Sequence, residues 1–331
     1  MSAKAALVIT SIAAPNEALK KYAHLAKANN IGFILIGDTK SPADFSLNGC
    51  DFWSIERQKN SQSDLAGQLP VKHYSRKNFG YLQAIKQGAE IIVETDDDNL
   101  PYENFLNFFS ENLTAECVEN TGWHNVYNHF TDKKIWPRGF PLEKVLINNK
   151  RAATISKSVS CPIQQGLAND NPDVDAVYRL TYPLPIQFEK NKKIALGKNT
   201  WCPFNSQNTV WYKQAFPLLY LPSYCSFRMT DIWRSFVAQR IAWENNWNIL
   251  FYSPTVWQER NEHNLMKDFE DEISGYLNND KISKALALLE LKQGPQYLGD
   301  NLMKCYSKLI EMNLINEKEI KLLELWLKEI E

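Results

Sequence analysis

An apolar run leads directly into three carboxylates in Ile91-Ile92-Val93-Glu94-Thr95-Asp96-Asp97-Asp98-Asn99. This segment sets the expected fold, because a short apolar run with polar borders predicts a buried strand. Three adjacent carboxylates repel one another unless a cation or hydrogen bonds compensate them. Alternate residues at a strand end point the same way, so we expect Asp96 and Asp98, rather than Asp97, to form the inward pair.

Two further apolar runs precede this segment. Ala5–Thr10 and Phe33–Ile36 predict buried strands, and residues 78–87 have the periodicity of a helix. Strands that alternate with helices predict an α/β fold with a mostly parallel sheet flanked by helices. Ligands of such sheets bind outside the carboxyl ends of the strands, where both Asp38 and the acidic triplet of residues 96–98 fall.

The composition changes after the sheet-forming part. Residues 121–207 are irregular and rich in Trp, Pro, Asn and Asp, as is typical of connections that build the substrate side of a site. Leucine clusters from residue 280 onward predict helices. We therefore expect a catalytic domain over residues 1–275 and a helical C-terminal appendage over residues 276–331. Such helices are stabilised by packing, either on the main domain or in a homo-oligomer.

Composition and charge exclude several classes of protein. The 331 residues carry 37 Lys and Arg against 38 Asp and Glu, whereas a general nucleic-acid binder needs a basic excess. No run approaches the roughly 20 apolar residues that cross a bilayer, and the N-terminus lacks a secretory signal pattern. The six cysteines lack zinc-type spacing and suit free thiols in a reducing compartment. We therefore expect a soluble, cytoplasmic protein without a membrane span.

The acidic triplet is the predicted metal site. Two carboxylates at the spacing of Asp96 and Asp98 suit Mg²⁺ or Mn²⁺, which keep several waters and take phosphate oxygens from a substrate. Such a metal neutralises a diphosphate leaving group. A solvated acidic turn is the alternative, which the preceding apolar strand disfavours. His263 is a candidate third ligand, with a purely structural histidine as its alternative.

Two further groups of residues carry predicted roles. Arg76 and Lys77 precede a helix that Asn78 would cap, and a helix N-terminus beside basic residues binds anions such as a pyrophosphate. An ordinary capped helix is the alternative there. Asp231 is either a general base on an acceptor hydroxyl, a group that fixes that hydroxyl, or a residue favoured by the dipole at a helix start.

A series of motifs gives the chain a family resemblance over roughly residues 5–270. The motifs are Val8–Pro15, Ile36–Pro42, Tyr74–Tyr81, Glu94–Asn99, Trp136–Leu142, Gln165–Leu167, Asp173–Ala176, Pro203–Thr209, Thr230–Arg234 and Gln258–His263. On these residues the chain resembles the STELLO-type proteins, which look like glycosyltransferases of the GT-A fold. It is more distantly similar to the reversibly glycosylated polypeptides, the UDP-arabinopyranose mutases. The helical tail lies outside the resemblance.

The resemblance implies a GT-A nucleotide-diphospho-sugar transferase fold and a role for each candidate residue. Residues 96–98 would be the Asp-x-Asp element, Asp38 would lie near the nucleoside, and Arg76 would approach the phosphates. The implied cofactor-binding residues are Asp38, Arg76, Lys77, Asp96 and Asp97. The implied metal ligands for Mn²⁺ or Mg²⁺ are Asp96, Asp98 and His263. The implied catalytic residues are Asp98 and the acceptor-side acid Asp231.

The predicted function is metal-dependent transfer of a sugar from a nucleotide sugar, with a UDP-sugar as the expected donor. The acceptor is not identified and is a glycan, a lipid or a protein. A UDP-sugar mutase or a self-glycosylating protein is the alternative, since both also cleave the sugar–phosphate bond. A non-catalytic scaffold with the GT-A fold is the second alternative, although a scaffold has no need of clustered carboxylates. Retention and inversion are both open.

Overall fold

The computed structural model describes residues 4–147, 151–259 and 264–331. The strands are Ala5–Thr10 (β1), Gly32–Ile36 (β2), Asp51–Trp53 (β3), Ile91–Thr95 (β4), Asn99–Pro101 (β5), Asn112–Val118 (β6), Gly122–Trp123 (β7), Ile155–Asn169 (β8), Lys193–Leu196 (β9), Thr200–Trp201 (β10), Asn208–Tyr212 (β11) and Trp247–Gln258 (β12). The α-helices are Glu17–Ala28 (α1), Ile55–Lys59 (α2), Asp64–Gln68 (α3), Lys77–Lys86 (α4), Leu142–Val145 (α5), Ala176–Thr181 (α6), Thr230–Glu244 (α7), Leu265–Ala287 (α8), Leu298–Glu311 (α9) and Glu319–Ile330 (α10). The 3₁₀ helices are Tyr74–Arg76, Val126–His129, Lys213–Leu219, Phe227–Met229 and Pro295–Tyr297.

The first half of the large sheet follows the pattern expected from the apolar runs. Strands β3, β2, β1 and β4 lie side by side in that order and are all parallel. Successive side chains of a strand point to opposite faces. Accordingly Val8 packs in the core shared with α4, whereas Leu7 and Ile9 pack with Leu19 and Tyr22 of α1 on the other face. These two cores fix the carboxyl ends of β1, β2 and β4 at one edge.

The second half of the sheet is mixed. Strand β11 pairs antiparallel with β4 and β8, while β8 and β12 run parallel. Strand β8 lies within the region that we expected to be irregular. Its first seven residues have Ser at every second position and contain no continuous apolar run, so the pattern does not predict a strand there. The predicted fold class, an α/β sheet flanked by helices with helices at the C-terminus, is therefore confirmed, with a mixed sheet beyond β4.

The C-terminal helices share the main hydrophobic core. The boundary expected after residue 275 falls inside the continuous helix α8. Helix α9 packs on α7, and α10 packs on α3 and α4. Leu309 and Trp326 are both 0% exposed and belong to the cluster that also contains Phe79 of α4. The C-terminal helices therefore pack on the main domain, which is the first of the two arrangements expected for them.

Helix length and composition also bear on the expected lack of a membrane span. None of the helices in residues 4–147, 151–259 and 264–331 has the length and apolar character needed to cross a membrane.

Candidate active site

A cavity of about 560 Å³ opens at the carboxyl ends of β1, β2 and β4. In sheets of this kind that edge is the usual ligand position. Asp38 and the acidic triplet of residues 96–98 line one side of the cavity. Arg138, Asp173 and Asp231 line the other side. The structure thus brings the predicted donor-side and acceptor-side acids to one cavity.

Asp96 is held by the segment that precedes α4. The Tyr74 hydroxyl donates to Asp96 Oδ1 at 2.7 Å, and Lys77 Nζ lies 3.2 Å from the same oxygen. The ammonium of Lys77 also donates to the Tyr74 hydroxyl at 2.6 Å and to the Thr95 carbonyl at 2.8 Å. Burial raises the pKa of Asp96, while Lys77 opposes that rise. Lys77 therefore serves as a buried countercharge to one carboxylate of the triplet.

Asp97 and Asp98 lie in a turn, because β4 ends at Thr95. The strand-like alternation expected of the triplet is therefore wrong, and all three carboxylates line the cavity. Asp97 accepts a hydrogen bond from the Ser11 hydroxyl, and its carbonyl accepts one from Asn16 Nδ2 at 2.8 Å. These contacts tie the turn to the beginning of α1.

Asp98 carries the unsatisfied group of the triplet. Its Oδ2 accepts from Gln258 Nε2 at 2.9 Å, whereas its Oδ1 is buried and has no hydrogen-bond partner among residues 4–147, 151–259 and 264–331. Burial, followed by the charges of Asp96 and Asp97, raises the pKa of Asp98 to about 7. A buried carboxylate oxygen without a donor, beside two like charges, is costly unless a cation pairs with it.

The donor set around Asp98 fits a hard divalent cation. Asp96 and Asp98 supply carboxylate oxygens, which Mg²⁺ and Mn²⁺ prefer. No group of three or more His, Cys, Asp and Glu in the described ranges is arranged to enclose a metal. A cation that takes its remaining ligands from water and substrate does not need such a group. The third predicted ligand, His263, lies outside the described residues.

Asp38 lies in the cavity, as the position of β2 implied. Its Oδ2 accepts from the backbone N–H of His73 at 3.2 Å, and its Oδ1 accepts from that of Thr39 at 2.6 Å. Asp38 therefore joins the end of β2 to the segment that carries Tyr74. Its predicted place beside a nucleoside stays a prediction.

Arg76 and Lys77 occupy the expected place, but their side chains turn into the protein. The Arg76 guanidinium donates to Gln58 Oε1 at 2.8 Å and to the Leu69 carbonyl at 2.9 Å, and the residue is 1% exposed. Lys77 is 0% exposed. Both side chains have internal partners, while Arg76 also lines the cavity, and the contact of these residues with a pyrophosphate stays a prediction.

The predicted cap of α4 by Asn78 is wrong. The helix begins at Lys77, and Asn78 lies in its first turn. Its side chain donates to the Leu221 carbonyl and accepts from the Leu221 N–H, both at 2.8 Å. Asn78 therefore binds a residue that is distant along the chain and does not cap the helix.

Asp231 faces the cavity from the first turn of α7 and pairs with Arg138. Arg138 Nη2 donates to Asp231 Oδ2 at 2.9 Å and to Asp173 Oδ2 at 2.8 Å. Burial opposes the charge of Asp231, but Arg138 outweighs it and lowers the pKa of Asp231 to about 2. A carboxylate of such low basicity is a poor general base, so the geometry favours the alternative of fixing a hydroxyl.

Several residues of the site were not singled out from the sequence. The Tyr74 hydroxyl lies 2.7 Å from Ser206 Oγ, and Ser206 Oγ donates to Asp231 Oδ2 at 3.2 Å. Tyr74 and Ser206 therefore lie between Asp96 and Asp231 in a line of polar contacts. Tyr74, Arg138 and Ser206 all fall within the quoted motifs, which were the only available signal.

A buried ion pair connects strand β4 to helix α7. Arg234 Nη2 of α7 donates to Glu94 Oε1 of β4 at 2.8 Å, and both side chains are at most 1% exposed. The Tyr81 hydroxyl and the Trp211 indole N–H also donate to Glu94. This pair joins the strand that carries the acidic triplet to the helix that carries Asp231.

Comparison with known proteins supports the family resemblance. Residues 228–331 match the family model described as STELLO glycosyltransferases. The chain is 29% identical to "Probable glycosyltransferase STELLO2" and 28% identical to "Probable glycosyltransferase STELLO1", both of Arabidopsis thaliana. Each alignment covers 98% of this chain and 44% of the relative, so the chain spans less than half of these curated relatives.

The resemblance inferred from the motifs is confirmed and extends further than expected. The matched region and the alignments include the C-terminal helices, so their expected exclusion is wrong. Among solved structures, the chain is similar to "Crystal Structure of a Mycobacterial Protein" with a TM-score of 0.40 and 9% identity, covering 85% of this chain and 76% of that one. It is also similar to M. tuberculosis glucosyl-3-phosphoglycerate synthase with a TM-score of 0.40 and 9% identity, covering 87% and 80%.

Proposed function

We propose that this chain is a metal-dependent glycosyltransferase that takes its sugar from a nucleotide-diphospho-sugar, with a UDP-sugar as the donor. The observation that carries the proposal is the buried Oδ1 of Asp98, which lies within three clustered carboxylates and accepts no hydrogen bond from the part of the chain that the structure describes. A purely structural turn gains nothing from that arrangement, whereas a cation–diphosphate site requires it. The glycosyltransferase names of the two Arabidopsis relatives support the same activity.

The donor half of the proposed site is organised by the residues around the triplet. Asp96 and Asp98 would hold Mn²⁺ or Mg²⁺, and a bound cation supplies positive charge that stabilises a diphosphate leaving group. Tyr74 and Lys77 keep Asp96 in place, and Gln258 orients Asp98. Ligands that are held before substrate arrives need little reorganisation during the reaction.

The acceptor half of the proposed site is centred on Asp231. Its ion pair with Arg138 keeps the carboxylate charged and oriented. We assign it the role of accepting a hydrogen bond from the acceptor hydroxyl and so placing that oxygen near the sugar. Ser206 links this carboxylate to Tyr74 and hence to the donor half.

Calorimetry with UDP, in the presence and absence of Mn²⁺, tests the proposal. We expect wild-type protein to bind UDP far more tightly with Mn²⁺, and Asp98→Asn to lose most of that gain. Asp300→Asn is the matched control, because Asp300 is an exposed carboxylate on α9 whose partner is Lys292. No UDP binding by wild-type protein with Mn²⁺ would overturn the donor class, and undiminished metal dependence in Asp98→Asn would overturn the metal assignment.

Turnover needs its own measurement, because a scaffold can bind a nucleotide without reacting. Incubation with UDP-sugars and Mn²⁺ should release UDP slowly even without the true acceptor, since water can replace the hydroxyl. A protein that binds UDP-sugars and never releases UDP is not an enzyme of this class.

A further inference from the structure

Glu319, the first residue of α10, is a buried carboxylate with several partners. It is 0% exposed. Its Oε2 accepts from the backbone N–H groups of Ser223 at 2.9 Å and Tyr224 at 2.7 Å, and its Oε1 accepts from the Tyr220 hydroxyl. A buried carboxylate is tolerated only when it is hydrogen-bonded in this way. The beginning of α10 therefore holds the segment of residues 220–224.

The opposite side of residues 220–224 holds the segment before and within α4. Asn78 makes its two hydrogen bonds with the backbone of Leu221, each 2.8 Å long. The Ser223 hydroxyl donates to Ser75 Oγ at 2.7 Å. Ser75 and Asn78 are both 0% exposed. All these links are buried, so water does not compete for them.

Ser75 directly follows Tyr74, and Asn78 directly follows Lys77. The Tyr74 hydroxyl and the Lys77 ammonium both contact Asp96 Oδ1. Buried hydrogen bonds thus connect Glu319 through residues 220–224 to Ser75 and Asn78, and one backbone step from each leads to the side chains that contact Asp96. The same segment leads on to the 3₁₀ helix at Phe227–Met229 and to Asp231.

We infer that Glu319 is a positioning residue for the metal and diphosphate site, and that the C-terminal helices are a working part of that site. This inference rests on the proposed function. It gives a physical reason for a tail that shares the core of the catalytic domain: without α10, the segment that holds Tyr74 and Lys77 loses its outer support. Partners of metal ligands in the next layer typically change metal affinity 10–100-fold.

Glu319→Gln tests the inference with a change of one atom. The amide keeps the volume but has only one acceptor oxygen, so either the backbone N–H groups of Ser223 and Tyr224 or the Tyr220 hydroxyl lose their acceptor. We expect the Mn²⁺-dependent affinity for UDP to fall about tenfold, the lower end of that range, because Glu319 lies further from the metal. Leu309→Ala is the control: it removes a buried apolar side chain of α9, which makes no hydrogen bond to residues 220–224.

The measurement is UDP calorimetry with Mn²⁺, at a temperature where all variants are folded. Glu319→Gln should bind UDP weakly whether or not its melting temperature falls. Leu309→Ala should have a lower melting temperature than wild-type protein and bind UDP with wild-type affinity. Equal affinity in Glu319→Gln and wild-type protein would overturn the inference, as would an equal loss in Leu309→Ala. Absence of binding in wild-type protein is a separate outcome, which contradicts the proposed function itself.

Asn78→Leu provides the test if Glu319→Gln does not fold. Leucine fills a similar volume and removes both hydrogen bonds to Leu221. We expect the same direction and size of effect on UDP affinity, because the change cuts the same chain at its other end. Wild-type affinity in Asn78→Leu would show that residues 220–224 do not position the site, and would overturn the inference.

Discussion

The pH dependence of Mn²⁺ binding is the sharpest prediction from the geometry of the triplet. Metal binds the charged carboxylate, so a proton on Asp98 competes with it. Burial, together with Asp96 and Asp97, raises the pKa of Asp98 to about 7. The apparent dissociation constant for Mn²⁺ should therefore be multiplied by about 1.1 at pH 8, about 2 at pH 7 and about 11 at pH 6.

The assay is titration with Mn²⁺ alone, in which the electron paramagnetic resonance signal reports the free ion. Nucleotide is left out because its terminal phosphate titrates in the same range. Between pH 8 and pH 6 we expect affinity to fall about tenfold for wild-type protein. Asp98→Asn should bind weakly and with little pH dependence. Affinity that is constant from pH 6 to pH 8 in wild-type protein would refute the assigned role of Asp98.

Thermal unfolding gives the same prediction a second readout, whose sign follows from linkage. The folded protein keeps a proton on Asp98 that the unfolded chain has already released, so this group costs stability as pH rises from about 4 to 7. Bound Mn²⁺ removes that cost. The rise in melting temperature caused by Mn²⁺ should therefore be larger at pH 8 than at pH 6. The opposite order would contradict the reasoning.

Three further predictions concern the surroundings of the site. Asp231→Asn should keep UDP affinity within about twofold while acceptor-dependent UDP release falls about 10²-fold, because the acceptor hydroxyl is no longer held in place; parallel loss of both would place Asp231 in the donor half. Arg234→Met should lower the free energy of unfolding in urea by about 3–5 kcal/mol, because the carboxylate of Glu94 is left buried and unpaired; a loss under about 1 kcal/mol would contradict this. The Nε2 atoms of His124 and His129 lie 2.9 Å apart. Burial, followed by nearby positive charge, lowers the pKa of each histidine to about 4. Stability should therefore fall as pH drops from about 6.5 to 4, where the unfolded chain takes up protons first, and a double replacement by Asn should flatten that part of the melting-temperature profile.

Local patterns in the sequence were sufficient for the first half of the sheet. The apolar runs of β1, β2 and β4 are short and bounded by turn residues, and such patterns act within a few positions. Because parallel strands end at one edge, Asp38 and the triplet of residues 96–98 were expected to meet there. The cavity at that edge bears out this part of the reasoning.

The partners of each charge were decided only by the tertiary structure. Arg138 lies 93 positions from Asp231, and Asn78 lies 143 positions from Leu221. No periodicity along the chain encodes contacts over such distances, because they depend on which loops the packed core brings together. Arg138 lowers the pKa of Asp231, an effect that the residues next to Asp231 in the sequence do not indicate.

The acidic triplet itself shows where the division lies. Its position after an apolar strand followed from the order of residues alone, since backbone preference is local. The order of residues did not show which carboxylate oxygen of Asp98 binds within the described chain, because Gln258 reaches it from β12, 160 positions along the chain. Likewise, leucine spacing predicted C-terminal helices, whereas the contact of Glu319 with Ser223 made them part of the same core as the site. Local pattern thus places chemical groups at an edge, and long-range packing decides which of them remain available for a ligand.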